Sequence, residues 1–436
     1  GCARSIWNAK VEEERYYRTY ARKYCTIGTY APIDQTTSQF KSKELSPWLS
    51  ECPSQILRNS AVNWYQTYQK FMSGKCGRPK RKPKTDKGSI YLTREVFRFD
   101  HCDDGNVRLF IGTKTNNIGY LSFKAHGKFE IPNSLYVRKE RGHYYVSFCY
   151  EQGQPDRKLS TNEEHLAFLQ GATREYLEEH TMGVDRGVAI PVCAGEQTYD
   201  FTHSQKKNMS KADRYIKRLQ RKLARQQKGS NRRAKTKHRI AVHHAKKANI
   251  RNDFAHKTSR LLVDSSAKII VFEALRTARM TRRPKAKQDE QGRFISNKAK
   301  QKAGLNKSIL NVGWHVIETY TYYKAYSSSK AVFKIPAPTT SQECAKCGHT
   351  HPDNRKTQAL FVCGNCGNTD NADHNASLVI KKRAINLILD TGTVLSGDGV
   401  LRTQSDSGRG GNRKTGRAKS STSSAQRSVK KEKLAA

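Results

Sequence analysis

Cys363-Gly364-Asn365-Cys366-Gly367-Asn368-Thr369-Asp370-Asn371-Ala372-Asp373-His374-Asn375-Ala376-Ser377 carries two chemical signals in one short run: half of a metal-binding knuckle, and an acid beside a helix. Upstream, Cys344-x2-Cys347 supplies the other half, with fifteen residues between the pairs. That is the spacing of a zinc ribbon, in which each CxxC turn presents two thiolates to one side and two turns complete a tetrahedral cage. Gly348, Gly364 and Gly367 follow the cysteines and permit tight turns. A rubredoxin-like iron site shares this geometry and a disulfide pair is open to the same thiols, but an intracellular chain favours zinc. With Cys344, Cys347, Cys363 and Cys366 filling all four positions, no coordination site is left for a substrate. The Zn2+ is therefore structural and stabilises a small insertion.

Downstream, Ala376 to Leu389 has the apolar period of a last amphipathic helix, with Asp373 just before it. Two more acids stand at element ends. Met182 to Phe201 reads as two short strands, the first ending in Gly183-Val184-Asp185-Arg186-Gly187, and Ala267 to Phe272 reads as a buried strand closed by Glu273. Two-metal cleavage of a phosphodiester needs carboxylates from separate elements converging on ions about 3.5–4 Å apart. Singly, each acid also has a plain role: Asp185 as a turn residue, Glu273 as a surface acid, Asp373 as a helix N-cap. Spacing alone does not make the three converge.

Between these strands, two long helical patterns flank the turn Lys228-Gly229-Ser230-Asn231 and predict an αα-hairpin. On the first, Lys207, Lys211, Arg214, Arg218, Arg221 and Arg225 recur every three or four residues and share one face. Few acids compensate them, which favours a helix tracking nucleic acid over a solvated charge stripe. Thr281 to Gly304 reads as a basic loop, Ser308 to Ser327 as one helix, and Val332 to Ile335 as a strand stopped by Pro336 and Pro338. Toward the N-terminus, Trp7 to Met72 has helical spacings, Gly74 to Lys84 is a basic linker, and Asn162 to Glu179 is a polar helical stretch. Ser89 to Tyr150 alternates as short strands, including a hairpin turning at Arg141-Gly142, and predicts a small antiparallel barrel or sandwich. From Thr391 onward Gly, Ser, Arg and Lys dominate, the composition of a disordered tail.

Across 436 residues, 81 Lys and Arg face 38 Asp and Glu, a formal net charge of +43. A chain so basic gathers phosphate backbones through counterion release, which makes nucleic acid its natural partner. A solvated surface with basic tails explains a smaller excess better than this one. No run of about 20 apolar residues occurs, and Gly1-Cys2-Ala3-Arg4-Ser5 lacks a signal-peptide core, so a soluble intracellular protein with no membrane partner is expected. Cys2, Cys25, Cys52, Cys76, Cys102, Cys149 and Cys193 lack any framework of spacings and read as reduced thiols without a role.

Taken in order, these motifs resemble one family. Gly183 to Gly187, the basic hairpin through Lys228-Gly229-Ser230 to His256-Lys257, Val271-Phe272-Glu273-Ala274-Leu275, Thr340-Ser341-Gln342-Glu343-Cys344, and Cys366-Gly367 followed by Ala372 to Ser377 are similar to those of the TnpB proteins of bacterial and archaeal insertion sequences. These are relatives of the type V CRISPR effectors and the eukaryotic Fanzor proteins. The resemblance runs from about Gly183 to Leu389, and Gly1-Cys2-Ala3-Arg4 with Trp7-Asn8 looks like the entry to the family's first recognition helix.

It implies an RNA-guided DNA endonuclease in which a guide RNA pairs with one strand of double-stranded DNA beside a short motif. It also implies that Asp185, Glu273 and Asp373 are catalytic and hold a pair of Mg2+ ions, and that Cys344, Cys347, Cys363 and Cys366 are the zinc ligands. Asp370 rivals Asp373 but stands outside the family's Asp-x-Asn-Ala setting. In a prokaryotic host such a protein is cytoplasmic and nucleoid-associated. The alternatives are a nuclease-inactive RNA-guided DNA-binding protein and a transposase-associated DNA-binding protein.

The expected fold is multidomain α/β: a ribonuclease H-like (RuvC-like) nuclease core with an inserted zinc ribbon, plus a helical lobe and a small antiparallel β-barrel (wedge-like) domain. Expected domains are a helical recognition lobe over 1–76, the wedge-like barrel with its basic linker over 77–155 and a connecting helical segment over 156–180. The first part of the nuclease core follows over 181–340, then the zinc ribbon over 341–368, the last helix of the core over 369–390 and a disordered basic tail over 391–436.

Overall fold

The structure, a computed structural model, describes residues 1–21, 36–84, 88–101, 106–125, 129–140, 143–149 and 159–403. The turn expected at Arg141-Gly142 and the tail beyond 403 lie outside the described residues. The chain divides into two compact units, Gly1–Arg157 with Arg214–Ala245, and Lys158–Asp213 with Lys246–Ala436.

The first unit contains α1 (Cys2–Tyr16) and α2 (Ser54–Met72). Its strands are β1 (Gly88–Thr93), β2 (Phe97–His101), β3 (Asn106–Gly112), β4 (Asn117–Lys124), β5 (Ser134–Glu140) and β6 (His143–Phe148). Among the described residues they form two three-stranded antiparallel sheets, ordered β1-β5-β6 and β2-β3-β4. Alternation puts Val107, Leu109 and Ile111 of β3 on the inner side. There they meet Leu92, Leu135 and Val137, together with Ile6 of α1 and Ile56, Leu57 and Ala61 of α2. The helical lobe and the β-domain, expected as separate domains, thus share a single core, because the apolar faces of α1 and α2 are buried against the strands.

In the second unit, β7 (Thr181–Asp185) lies in a five-stranded sheet with β8 (Val192–Ala194), β9 (Gln197–Tyr199), β10 (Ile269–Glu273) and β13 (Ala331–Ile335), in the order β13-β10-β7-β8-β9. β7, β8 and β9 run antiparallel in turn, whereas β10 is parallel to both β7 and β13. Met182 to Phe201 therefore holds three strands, one more than expected.

Helices cover both sides of this sheet. Ile270 and Phe272 of β10 pack with Phe254 and Leu262 of α6 (Asn231–Asp264), Ile309 of α7 (Ala299–Val312) and Ile317 of α8 (Trp314–Ser327). Ile269 and Val271, of opposite parity, pack with Ile380, Ala384 and Ile385 of α9 (Ala372–Leu389). A strand covered on both faces has to be apolar at every position, which is why Ile269 to Phe272 shows no polar alternation. α5 (His203–Arg225) precedes α6 and forms the predicted hairpin with it, as the Lys247–Asp213 ion pair at 2.6 Å and the Tyr215–His243 ring stack at 5.1 Å record.

Several expectations need correction. The polar stretch from Asn162 to Glu179 is two helices, α3 (Asn162–Leu169) and α4 (Arg174–His180). Leu166, Leu169 and Leu177 join the core on the α9 side, so the segment is part of the α/β unit rather than a connector. Ser308 to Ser327 is divided between α7 and α8 by Gly313, whose φ of 81° a helix interior does not accept. The basic loop from Thr281 to Gly304 contains a hairpin of β11 (Lys287–Gln288) and β12 (Phe294–Ile295) and the start of α7. The tail expected as disordered from Thr391 is ordered through 403: β16 (Thr393–Leu395) pairs with β17 (Leu401–Thr403), Leu401 is buried, and Lys334 N donates to Gly399 O at 2.9 Å. Among the described residues no helix is long and apolar enough to cross a membrane.

Candidate active site

Strand parity and one glycine bring the three predicted acids together. Asp185 ends β7 and Glu273 ends β10; the strands are parallel neighbours in register at Val184 and Phe272, so the two acids leave the sheet side by side. Glu273 has the parity of Ile269 and Val271 and turns toward α9. Asp185 has the parity of Gly183, against which α9 packs so closely that a Cβ there would lie 2.1 Å from Ser377 O and 2.7 Å from Lys381 N. One turn before Ser377 stands Asp373. The helix begins four residues earlier than its apolar period implies, because Asn371 is the cap: its side chain accepts from Asp373 N at 2.9 Å and His374 N at 3.2 Å. Asp373 is thus a first-turn residue, favoured there by the helix dipole, and the N-cap reading of it is set aside.

The acids feel one another. Desolvation, then the charges of Glu273 and Asp373, push Asp185 up to about 7. Glu273, 6% exposed, is also raised by burial, against the Thr340 hydroxyl that donates to its Oε1 and the charges of Arg186 and Arg383. Arg355 reaches Asp373 Oδ1 at 3.0 Å and also donates to Gln358 O. Arg186, 4% exposed, donates to the Glu273 carbonyl and to Glu318 Oε2 at 2.6 Å. Asp185 thus lies within electrostatic reach of Glu273 and Asp373, and carboxylates are hard oxygen donors of the kind a divalent cation of the Mg2+ type takes. Asp370 is paired with His374 Nδ1 at 2.8 Å, and burial followed by the charges of Asp185, Asp373 and Asp370 raises Cys193.

The cysteine quartet forms the second cluster. Cys344 and Cys366 sulfurs lie 3.7 Å apart, Cys347 and Cys363 3.6 Å, and all four ligand atoms fall within 4.8 Å of one another. A tetrahedron of Zn–S bonds of about 2.3 Å has sulfur edges of about 3.8 Å, so this cage fits zinc. The thiols act on one another: the His349 amide lowers Cys347, while Cys366, against the Asn368 amide, is raised by its hydrogen bonds with the other three. Between the knuckles, β14 (Leu360–Val362) pairs with β15 (Thr369–Asn371).

The insertion is tied to α9 through buried Asn375, which accepts from Ala345 N at 3.0 Å and donates to Glu343 O at 2.7 Å. Asn354 spans both knuckles, donating to His349 O and accepting from Gly364 N. Arg355, next in the chain, is thereby held beside Asp373.

Lys207, Lys211, Arg214, Arg218, Arg221 and Arg225 are all exposed along α5, and among the described residues none is within 4.0 Å of an acid. Four residues of the acid site were missed in the sequence. Arg186, Thr340 and Asn375 lie within the quoted motifs, so proximity to Asp185, Cys344 and Asp373 was their available signal. Arg355 had none, since it sits in a polar loop whose destination depends on the docked insertion.

Residues 147–283 match the family model described as "Probable transposase" (OrfB of IS605), and residues 314–380 match "Cas12f1-like, TNB domain". A relative from Escherichia coli (strain K12), "Putative RNA-guided DNA endonuclease InsQ", is 28% identical over 379 residues, which cover 86% of this chain and 85% of that protein. "CRISPR-associated endodeoxyribonuclease Cas12f1" from Sulfoacidibacillus thermotolerans is 27% identical over 263 residues, 58% of this chain and 53% of its own. A solved chain from "Cryo-EM structure of the Cas12f1-sgRNA-target DNA complex" superposes with a TM-score of 0.51 at 13% identity, covering 87% of this chain and 80% of that one. At that identity the likeness is one of fold, multidomain α/β.

Proposed function

We propose that this chain, which belongs with the TnpB proteins of insertion sequences, is an RNA-guided endonuclease that cuts double-stranded DNA beside a short motif. On this reading the second unit is a ribonuclease H-like (RuvC-like) core, its β7-β8-β9 meander followed by parallel β10 and β13, with residues 341–368 inserted as a zinc ribbon. The observation that carries the proposal is that Asp185 and Glu273 end neighbouring parallel strands and that Asp185 lies within reach of the charges of both Glu273 and Asp373.

Asp185, Glu273 and Asp373 would hold a pair of Mg2+ ions, and Cys344, Cys347, Cys363 and Cys366 a structural zinc. Bound divalent cations supply activation of the attacking water and stabilisation of the leaving oxygen. The chain's own residues prepare the site. Thr340 fixes one oxygen of Glu273, Arg186 fixes its backbone, and Asn371 orients the helix end that carries Asp373. Arg355 offsets carboxylate charge before cations arrive, and its guanidinium is then available to a phosphate oxygen. Guide pairing supplies most of the sequence specificity, and basic surfaces, the α5 stripe among them, hold the nucleic acid by its phosphates.

The test is cleavage with the RNA that co-purifies, sequenced to define a matched DNA target. Asp185→Ala and Glu273→Ala should each abolish cutting while leaving RNA and DNA binding largely intact, and a chelator should stop the wild type. Undiminished cleavage by either variant refutes the assignment. Intact binding with no cutting by the wild type would instead favour the nuclease-inactive reading.

A further inference from the structure

Asp185 and Glu273 leave the sheet from neighbouring strands, and one buried side chain ties the two strand ends together. Arg186, the residue after Asp185, donates to the Glu273 carbonyl and, through Nη1, to Glu318 Oε2 at 2.6 Å, with its guanidinium 5.0 Å from the centre of the Phe272 ring. We propose that Glu318, which no sequence motif marked, is a positioning residue for cleavage: by seating Arg186 it holds the ends of β7 and β10, and so their two acids, in one alignment. The inference rests on the nuclease reading above.

α8 grips the segment after Asp185 at two points. Trp314 and Glu318 are four residues apart and share a helix face. Trp314 Nε1 donates to the Gly187 carbonyl at 3.0 Å, and Glu318 takes Arg186. Trp314 and Ile317 are buried in the same core as Phe272, so the carboxylate is offered from a fixed base. Lys334 on β13 donates to its other oxygen, Oε1, at 3.2 Å. Burial alone would raise Glu318, but the charges and hydrogen bonds of Arg186 and Lys334 hold its carboxyl below the ordinary value, and it stays an anion.

Stability does not explain this arrangement. Burying an ion pair costs desolvation that its attraction barely offsets, and apolar side chains of similar volume often serve as well. Arg186 is buried and its Nε finds no hydrogen-bond partner among the described residues, which adds to that cost. What the guanidinium supplies is geometry, because a planar fork with two occupied arms fixes the direction of the backbone between them. Bonded to Arg186 and Lys334 rather than to the acids, Glu318 acts through Arg186. Its charge also offsets that of Arg186, which otherwise opposes a cation arriving at Glu273.

Two measurements on the full chain with its co-purified RNA test this. In the first, cleavage of matched DNA is followed for the wild type, Glu318→Gln, Arg186→Met and the double variant, at a temperature where each is folded. Turnover at saturating DNA should fall in Glu318→Gln by about 10- to 100-fold, the effect of a small misplacement of reacting groups, while the KM for DNA stays near the wild-type value. Because Glu318 acts through Arg186, adding Glu318→Gln to Arg186→Met should lower turnover no further. The second measurement needs no cutting: the Mg2+ concentration that gives half of the rise in melting temperature should be several-fold higher in Glu318→Gln than in the wild type. Wild-type turnover and Mg2+ midpoint in Glu318→Gln, or an equal loss in both backgrounds, overturn the positioning role while cutting by the wild type leaves the nuclease reading standing. The double variant removes the buried charges together, so it decides the matter if Glu318→Gln alone does not fold; wild-type turnover in it refutes the proposal. If the wild type binds DNA and does not cut, the nuclease reading fails, and the Mg2+ midpoints alone decide the role of Glu318.

Discussion

Asp185 titrates near neutrality because desolvation and the charges of Glu273 and Asp373 oppose its ionisation, raising it from the ordinary 3.8 to about 7. A carboxyl raised on folding contributes stability that is fully present below about pH 4 and lost as pH climbs through 7, since the folded state then holds a charge it disfavours. In chelator, the melting temperature of the wild type should therefore fall across that window more steeply than that of Asp185→Asn, and the variant should melt higher at pH 8. For a unit of this size each kcal/mol relieved corresponds to about 2–4 °C. Identical pH profiles would mean that the acids do not share a field. Mg2+ should raise the wild-type melting temperature at pH 8 by mass action and raise that of the variant less. The three acids stand at the ends of patterned elements, but it was the resemblance to the TnpB proteins, not patterning or spacing, that grouped them. Arg355 was not legible, because nothing local distinguishes it from its polar neighbours, and its contact with Asp373 depends on how Asn354 and Asn375 seat the insertion.

At the scale of elements, the contact between β7 and α9 does the aligning, and Gly183 is its closest point. A methyl group there has no room against backbone atoms of α9, so Gly183→Ala should push the helix away. Overpacking of this kind costs about 1–3 kcal/mol, readable as a lower urea midpoint with unchanged m-value. Cleavage should fall further than stability explains, at temperatures where the variant remains folded, because the same shift separates Asp373 from Asp185. Wild-type stability and cleavage in Gly183→Ala would show that the helix position is not critical. The strands β7, β10 and β13 were readable from composition, since a buried parallel strand leaves a continuous apolar run. The beginning of α9 was not, because Asn371, Asp373 and Asn375 are all competent caps and tertiary packing selects the first. Likewise 391–403 has the composition of a tail, yet Val400 and Leu401 are buried. Two apolar pairs, Val394-Leu395 and Val400-Leu401, among glycines and polar residues are too few to register as a pattern.

For the molecule as a whole, an excess of 43 positive charges predicts that nucleic acid binding is strongly salt-dependent whatever the sequence bound. Element patterns could not reveal how the chain divides, because units are defined by which residues share a core, as Ile6 and Leu57 do with Leu109 and Leu135. Charge, by contrast, was fully legible, and the α5 stripe offers a place to test it. Lys207, Lys211, Arg214, Arg218, Arg221 and Arg225 are exposed, whereas Ala212, Ile216 and Leu219 of the same helix are buried. Replacing the six with Ala should therefore leave the fold intact, since Ala also raises helix propensity. If the stripe follows a phosphate backbone, each lost contact should make the slope of log K against log salt shallower by about 0.9 on duplex DNA or 0.7 on a single strand. A titration of RNA and of duplex DNA from low to physiological salt identifies which polymer the stripe serves, by which slope changes. A slope unchanged for both would return the stripe to an ordinary solvated face and leave other basic surfaces to hold the guide and its target.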